Sequence, residues 1–295
     1  MKHEDPAVRC VLQHRAGTGE SPVWSAAEQV LYWVDIVAPA LHRFDPASGQ
    51  NRSWPMPSAI GSIGLSRSGR ILCALKSGLH WFDPADGTLH LIAHPESHLP
   101  TNSFNDGKVS PEGRFWVGSM DDRPQREPQG SLYRLDPDGT VTVHGNGYRT
   151  LNGLAWSPDG RSFYHADTRA QTVWRSAYDP ATGQPGPREV FVTMQDSWGR
   201  PDGAAVDAEG CYWVCGFGAG RVNRFSPQGA LLGFVQLPVR RVTMPCFAGP
   251  DLRTVYVTSA CQGMSPAEQE AEPLAGSLFA FQAGVPGVPV GLLPG

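Results

Sequence analysis

The chain has 295 residues and a formal charge of −4, from 24 Lys and Arg against 28 Asp and Glu, with no basic run longer than Arg240-Arg241; its length suits one large all-β domain, and its charge excludes nucleic acid as a partner. Hydrophobic residues at 40% and charged residues at 18% exclude a disordered chain, and no apolar run nears the ~18 residues that span a bilayer. The 34 Gly, 27 Pro and 9 Trp point to many short strands joined by tight turns.

The amino terminus, Met-Lys-His-Glu-Asp-Pro, carries acidic residues where a signal peptide is apolar, so a cytoplasmic location is expected. Residues 7–14 follow as a candidate strand. Next comes a repeated turn, an aromatic or apolar residue followed by Asp-Pro (Ser-Pro in the last copy) and a glycine, at residues 44–49, 82–87, 135–139, 178–183 and 225–229. Proline presets φ and glycine accepts a positive φ, so each is a hairpin turn. The turns are spaced by 38, 53, 43 and 47 residues, and a last strand at 277–281 lacks its turn. A second turn class precedes the first at residues 110–117, 157–164 and 207–214, with degenerate copies through Glu28, Gly69 and Asp251. Two hairpin turns in each of about six units predict an all-β fold, a six-bladed β-propeller with four strands per blade, as one domain over residues 1–295. Circular closure requires a strand from the other terminus, supplied by residues 7–14. Trp33, Trp81, Trp116, Tyr164, Trp174 and Trp213 are then packing between blades.

In a propeller the start of each innermost strand faces the central channel. Eight positions before the turn residues Glu28, Gly113, Gly160 and Gly210 stand Glu20, Asn105, Asn152 and Asp202; the same step from Gly69 reaches Gly61, and the sixth unit is irregular around Thr243-Met244-Pro245. Asn-Gly and Asp-Gly taken singly are turn dipeptides, but four oxygen donors in register, one of them a glutamate where no turn needs it, predict a central site for one divalent metal. Oxygen ligands without His or Cys favour Ca²⁺, Mg²⁺ or Mn²⁺, and Zn²⁺ also accepts them. So few protein ligands leave coordination positions for water or substrate, the mark of a Lewis-acid site. His90, His94 and His98 lie in an alternating segment ending in proline and are expected to be solvated. The six cysteines are scattered, the closest pair being Cys211 and Cys215, and are expected to be reduced core residues. No Gly-x-Ser-x-Gly elbow supports a covalent nucleophile.

The segments Gly19-Glu20-Ser21-Pro22-Val23-Trp24, Phe104-Asn105-Asp106-Gly107-Lys108-Val109, Asn152-Gly153-Leu154-Ala155-Trp156-Ser157 and Pro201-Asp202-Gly203 resemble the regucalcin (senescence marker protein) and gluconolactonase family. That resemblance implies hydrolysis of sugar (aldono-) lactones, such as glucono- or pentonolactones, by a bacterial-type sugar lactonase with a divalent metal, Ca²⁺ or Zn²⁺ foremost. It places metal binding on Glu20, Asn152 and Asp202, assistance to the attacking water on Asp202, substrate or water contact on Asn105, and a supporting role on Asp106. An arginine of regucalcin is replaced by Ser103, and an acidic substrate contact falls on Arg123 without a gap or on Asp122 with a shift of one. The expected partner is a small sugar lactone, with no nucleic acid and no membrane, in a monomer or weak homo-oligomer. The alternative from another class is a non-catalytic calcium-binding regulatory propeller, and a third is a protein-interaction scaffold, against which the four axial oxygens argue.

Overall fold

The structure, a computed structural model, describes residues 2–3 and 6–295. Six sheets form a β-propeller with four antiparallel strands per blade, each built from consecutive strands except where the ring closes, and Lys2–His3 adds a parallel fifth strand at the outer edge of blade five, matching Gly233 and Phe234. The innermost strands, in blade order, are Gly19–Ser25, Ile60–Leu65, Asn102–Val109, Leu151–Trp156, Arg200–Val206 and Val242–Ala248. Burial falls outward along each blade: every residue of Leu151–Trp156 is buried, whereas the outermost strand of the same blade, Gln184–Thr193, is mostly exposed. A strand walled in on both faces takes a continuous apolar run, and an edge strand takes polar residues, which is how the sequence orders each blade.

The predicted hairpins are present. In the second turn class Gly113 adopts φ +89°, while in the degenerate first copy the left-handed residue is Gln29, at φ +56°, one place beyond Glu28. That turn is a residue longer, with the Gln29 N–H donating to the Ser25 carbonyl at 2.8 Å.

The last strand lacks a turn because its partner comes from the other end of the chain. Arg9–Leu12 pairs antiparallel with Leu278–Gln282, matching Arg9 with Ala280, Cys10 with Phe279 and Leu12 with Leu278, and so completes blade six. At the face away from the inner-strand starts, residues 284–295 cross beneath the ring. The Ala208 N–H donates to the Pro286 carbonyl, the Val288 N–H to that of Val206 and the Leu293 N–H to that of Leu65, each at 2.8–3.0 Å, and Leu293 is buried. This tail packs across the carboxy-terminal ends of the inner strands of blades two and five.

Trp33, Trp116, Tyr164 and Trp213 are buried between blades as expected, whereas Trp81 and Trp174 are half-buried beneath Arg70 and Arg188 at 4.7 and 4.6 Å. All six cysteines are free, but not all are core: Cys10 is exposed on the closing edge strand and Cys261 is half-buried where a loop leaves blade six. His90 is exposed on the outer strand Leu89–Ala93, with His94 and His98 in the loop after it. No helix is long and apolar enough to cross a membrane among the described residues.

Two histidines sit inside these aromatic stacks. His165 lies between Phe163 and Trp174, with ring centroids 5.4 Å away on either side, and His42 stacks on Trp33 at 4.0 Å. Burial pushes His165 down to about 3 and His42 down to about 4. Both are neutral in the folded protein, so the stability tied to them is whole above their unfolded value near 6.5 and is lost as the pH falls from there towards 3–4, at roughly 1.4 kcal/mol per pH unit for each. Between pH 6.5 and 4.5 the stability-against-pH slope is expected to flatten by about that amount in a His165→Phe variant; an unaltered slope rejects this account.

Candidate active site

All six innermost strands break register near the channel. The shifts lie between Glu20 and Val23, Ile60 and Ser62, Phe104 and Gly107, Asn152 and Ala155, Pro201 and Ala204, and Val242 and Pro245. A bulge bends the strand and re-aims a side chain, and here it sits within or beside Glu20, Asn105, Asn152 and Asp202. In the sixth blade the break falls at Thr243, whose hydroxyl donates to the Gly19 carbonyl at 2.6 Å and so ties blade six to blade one. Blades crowd at these points: a Cβ on Gly61 would stand 2.3 Å from the Phe104 carbonyl oxygen, and one on Gly203 would stand 2.4 Å from Met244.

The four counted residues are buried and linked in part. Asn105 Nδ2 donates to the Leu151 carbonyl at 2.9 Å and to Asn152 Oδ1 at 3.0 Å. Asn152 Nδ2 donates to Thr168 Oγ1 at 2.7 Å, which donates in turn to the Pro201 carbonyl at 2.8 Å. Glu20 Oε2 accepts the Ser21 N–H at 2.7 Å. Asp106 Oδ2 accepts the Leu154 N–H at 3.0 Å, while its buried Oδ1 has no partner. Lys108, also buried, donates through Nζ to the Ala204 carbonyl.

Burial, then the charges of Asp202 and Asp106, hold Glu20 well above the usual carboxylate range. Burial and then Asp106 do the same to Asp202, with the Asn152 amide pulling the other way. Asp106 is likewise raised by burial, against the pull of Lys108. Three carboxylates facing one ammonium leave two surplus negative charges in a buried space when all are ionised. Like charges confined this way call for a cation. The orphaned Asp106 oxygen, the surplus of two and a donor set of carboxylate and amide oxygens fit a hard divalent ion.

The rim above holds the remaining predicted residues. Ser103 Oγ donates to Asp122 Oδ2, which also receives Lys76 Nζ at 2.7 Å. Arg123 turns instead onto Asp121, with Nε 2.9 and 3.0 Å from its two oxygens. Sequence reasoning missed Lys76, Thr168 and the charge on Lys108. Lys108 had a signal, a cation inside an innermost strand that is otherwise buried; Lys76 and Thr168 sit in short loops of other blades and had none.

A tighter group of metal-capable side chains lies elsewhere, at Asp207, Glu209 and Cys211. Its donors are already used. Asp207 Oδ1 accepts the N–H groups of Glu209 and Cys211, each at 2.9 Å, and Oδ2 accepts Trp213 Nε1 at 2.8 Å and Arg224 Nε at 2.9 Å. Arg224 also pairs with Glu209 at 2.7 Å. Burial pushes the Cys211 thiol up to about 11, so it is no thiolate at neutral pH. This cluster locks a turn of blade five.

Residues 18–261 match the SMP-30/gluconolactonase/LRE-like region. A Pseudomonas putida protein named 6-deoxy-6-sulfogluconolactonase is 41% identical over 281 residues, 95% of this chain and 96% of its own. Xenopus laevis regucalcin is 38% identical, with 95% and 96% covered. The crystal structure of a calcium-binding protein, regucalcin, from Agrobacterium tumefaciens superposes with a TM-score of 0.93 at 32% identity, covering 98% of this chain and 97% of the other. The six-bladed fold agrees with that match over nearly the whole length, and the chain belongs to the SMP-30/gluconolactonase/LRE-like family.

Proposed function

We propose that this protein is a metal-dependent lactonase, a hydrolase of carboxylic ester bonds that opens sugar (aldono-) lactones such as glucono- or pentonolactones to the aldonic acids. The observation that carries the reading is the buried cluster of carboxylate and amide oxygens on Glu20, Asn105, Asn152, Asp202 and Asp106, with Lys108 beside it. The 41% identity to a protein named 6-deoxy-6-sulfogluconolactonase supports it.

Glu20, Asn152 and Asp202 would hold the metal, with Ca²⁺ or Zn²⁺ the first candidates. Once bound, the ion supplies Lewis-acid polarisation of the lactone carbonyl. Asn105, whose amide is fixed by the Leu151 carbonyl, orients the ring or the attacking water. Asp202 steers that water and takes its proton on a carboxylate oxygen, a weak base where that carboxylate also serves the metal. Asp106 holds the bulge of blade four through the Leu154 N–H, and Lys108 keeps the cluster from exceeding the charge of one divalent ion. Ser103 and Asp122 face the sugar hydroxyls.

The description of the Agrobacterium neighbour as a calcium-binding protein favours a second reading, a metal site without turnover. One experiment separates them. The protein is stripped with chelator, then assayed on a panel of aldonolactones with Ca²⁺, Zn²⁺, Mg²⁺ or Mn²⁺ while ion binding is followed by calorimetry. Hydrolysis is expected to fall to background on chelation and to return with at least one ion. Binding without hydrolysis of any lactone selects the second reading, and no binding of any ion overturns both.

A further inference from the structure

Asn105 and Asn152 belong to a hydrogen-bond chain whose direction is dictated at both ends. Asn105 Nδ2 donates to the Leu151 carbonyl at 2.9 Å and to Asn152 Oδ1 at 3.0 Å; Asn152 Nδ2 donates to Thr168 Oγ1 at 2.7 Å, and the Thr168 hydroxyl donates to the Pro201 carbonyl at 2.8 Å. The chain runs through blades three, four and five. A backbone carbonyl only accepts, an amide nitrogen has two hydrogens and a hydroxyl has one. At one end the Leu151 carbonyl fixes which atom of Asn105 is nitrogen, and both hydrogens of that nitrogen are spent. At the other end the Pro201 carbonyl takes the only hydrogen of Thr168, so this hydroxyl meets Asn152 as an acceptor and requires its nitrogen. Turning the Asn152 carboxamide over would set nitrogen against nitrogen at Asn105 and oxygen against oxygen at Thr168.

Thr168 follows the strand Ser162–Asp167, and backbone bonds set its place. Its N–H donates to the Thr150 carbonyl at 3.0 Å, while Asp167 beside it accepts the Arg149 N–H at 2.8 Å and the Arg169 N–H at 2.9 Å. The hydroxyl then touches the side chain of one residue assigned to the metal and the peptide that leads into another, because the Pro201 carbonyl belongs to the bond joining Pro201 to Asp202. Asn105 repeats the arrangement one blade earlier, bonding the peptide that leads into Asn152 and the Asn152 side chain. The inner strands break register at both places, between Asn152 and Ala155 and between Pro201 and Ala204. A bulge disrupts the ladder there, so side-chain bonds take over the placing of these two residues.

We propose that Thr168 is a positioning residue of the metal site: its hydroxyl directs the Asn152 carboxamide so that the oxygen is free for a cation, and holds Asn152 at a fixed spacing from Asp202. The role rests on the reading of Asn152 and Asp202 as metal ligands above and deepens it. A hard divalent ion takes oxygen ligands, and an amide that turned its N–H groups to the ion would repel it, so the direction of the carboxamide matters as much as its place. Removing a group that hydrogen-bonds a metal ligand costs about 10–100-fold in metal affinity.

The test is calorimetry of the chelator-stripped protein with Ca²⁺, Zn²⁺, Mg²⁺ and Mn²⁺ in the wild type, Thr168→Val and Thr168→Ser. Beside it, NMR follows solvent exchange of the Asn152 amide hydrogens in the metal-free protein, their signals identified by their loss in Asn152→Ala. Valine keeps the shape without the hydroxyl, and serine keeps the hydroxyl. Thr168→Val is expected to weaken the most tightly bound ion about tenfold and to speed the exchange about tenfold, as loss of one hydrogen bond does, with Thr168→Ser close to the wild type in both. A residue that serves folding alone would lower the metal-free melting temperature in Thr168→Val and leave ion affinity untouched, and that result overturns the proposal. An equal loss of affinity in Thr168→Ser, or exchange unmoved in Thr168→Val, also overturns it. Thr168→Ala takes the place of the valine variant if that one fails to fold. If the wild type binds none of the four ions, the metal reading fails and exchange decides alone: faster exchange in Thr168→Val but not in Thr168→Ser keeps Thr168 as the residue that directs the carboxamide, and equal exchange in all three retires it.

Discussion

Asp202→Asn is expected to lower lactone hydrolysis by about 10³-fold, the range found for removing a group that acts in proton transfer, to weaken metal binding, and yet to make the metal-free protein more stable. The last effect follows from charge. Without metal, Asp202 adds to the repulsion among Glu20, Asp106 and itself inside a buried space, and each carboxylate is held above its ordinary range. Coulomb's law at an effective dielectric near 20 puts removal of one such repulsion on the order of 1–3 kcal/mol. A raised folded-state value means that, in the metal-free protein, stability gained by protonating these groups is present at low pH and lost as the pH rises through their folded values, opposite in sign to the histidines. The melting temperature should therefore rise in the metal-free variant and respond less to added metal than the wild type does. The amide keeps nearly the same shape, so a fall in both metal-free stability and activity would point to a packing role for Asp202, and wild-type metal affinity would remove it from the ligand set.

The blades were legible because each hairpin is local. Asp-Pro and glycine at fixed offsets dictate turns within six residues, and residues 277–281, a strand without its turn, implied that a distant strand completes the ring. The axial residues were legible because propeller symmetry turns a count along the sequence into a position around the channel. What was lost is what symmetry does not carry. Thr243 takes the sixth place with a hydroxyl spent on the Gly19 carbonyl, in a segment whose Met-Pro sequence hides the repeat. Lys76 meets Asp122 across a separation of 46 residues, and the Leu293 N–H reaches the Leu65 carbonyl across the underside of the ring. Such contacts join loops or tails of different blades, and nothing in either partner's neighbours announces them. Cys10 misled because an apolar-looking strand at the closing edge has one face in water.

Closure itself gives the second large effect. Deleting residues 1–13 is expected to leave protein that is insoluble or melts at least about 10 °C lower. The deletion removes the whole of Arg9–Leu12 and uncovers the edge of Leu278–Gln282, in which Leu278, Phe279 and Phe281 are buried. It takes away Val11 and Leu12, which pack on the apolar cluster of Trp33, Phe44 and Leu278, and Val8, which packs on that of Trp213 and Phe279. Each partly buried aliphatic side chain contributes on the order of 1 kcal/mol, and the strand's backbone hydrogen bonds add a net of about 1 kcal/mol each. That total is a large share of the ~5–15 kcal/mol by which a folded domain is stable, and at about 2–4 °C per kcal/mol for large domains it reaches the stated shift. The exposed edge is a template for pairing with another chain, which accounts for the loss of solubility. The cut at residue 13 spares Ala16, whose N–H donates to the Gly276 carbonyl at 3.1 Å, so the loop that follows keeps its anchor; it also removes Lys2–His3, paired with Gly233 and Phe234 in blade five, and the closing strand is tested by itself with a peptide. Adding a synthetic peptide of residues 6–14 should restore part of the melting temperature; a soluble truncated protein with an unshifted melting point would show that five complete blades and a three-stranded sixth hold the ring closed without it.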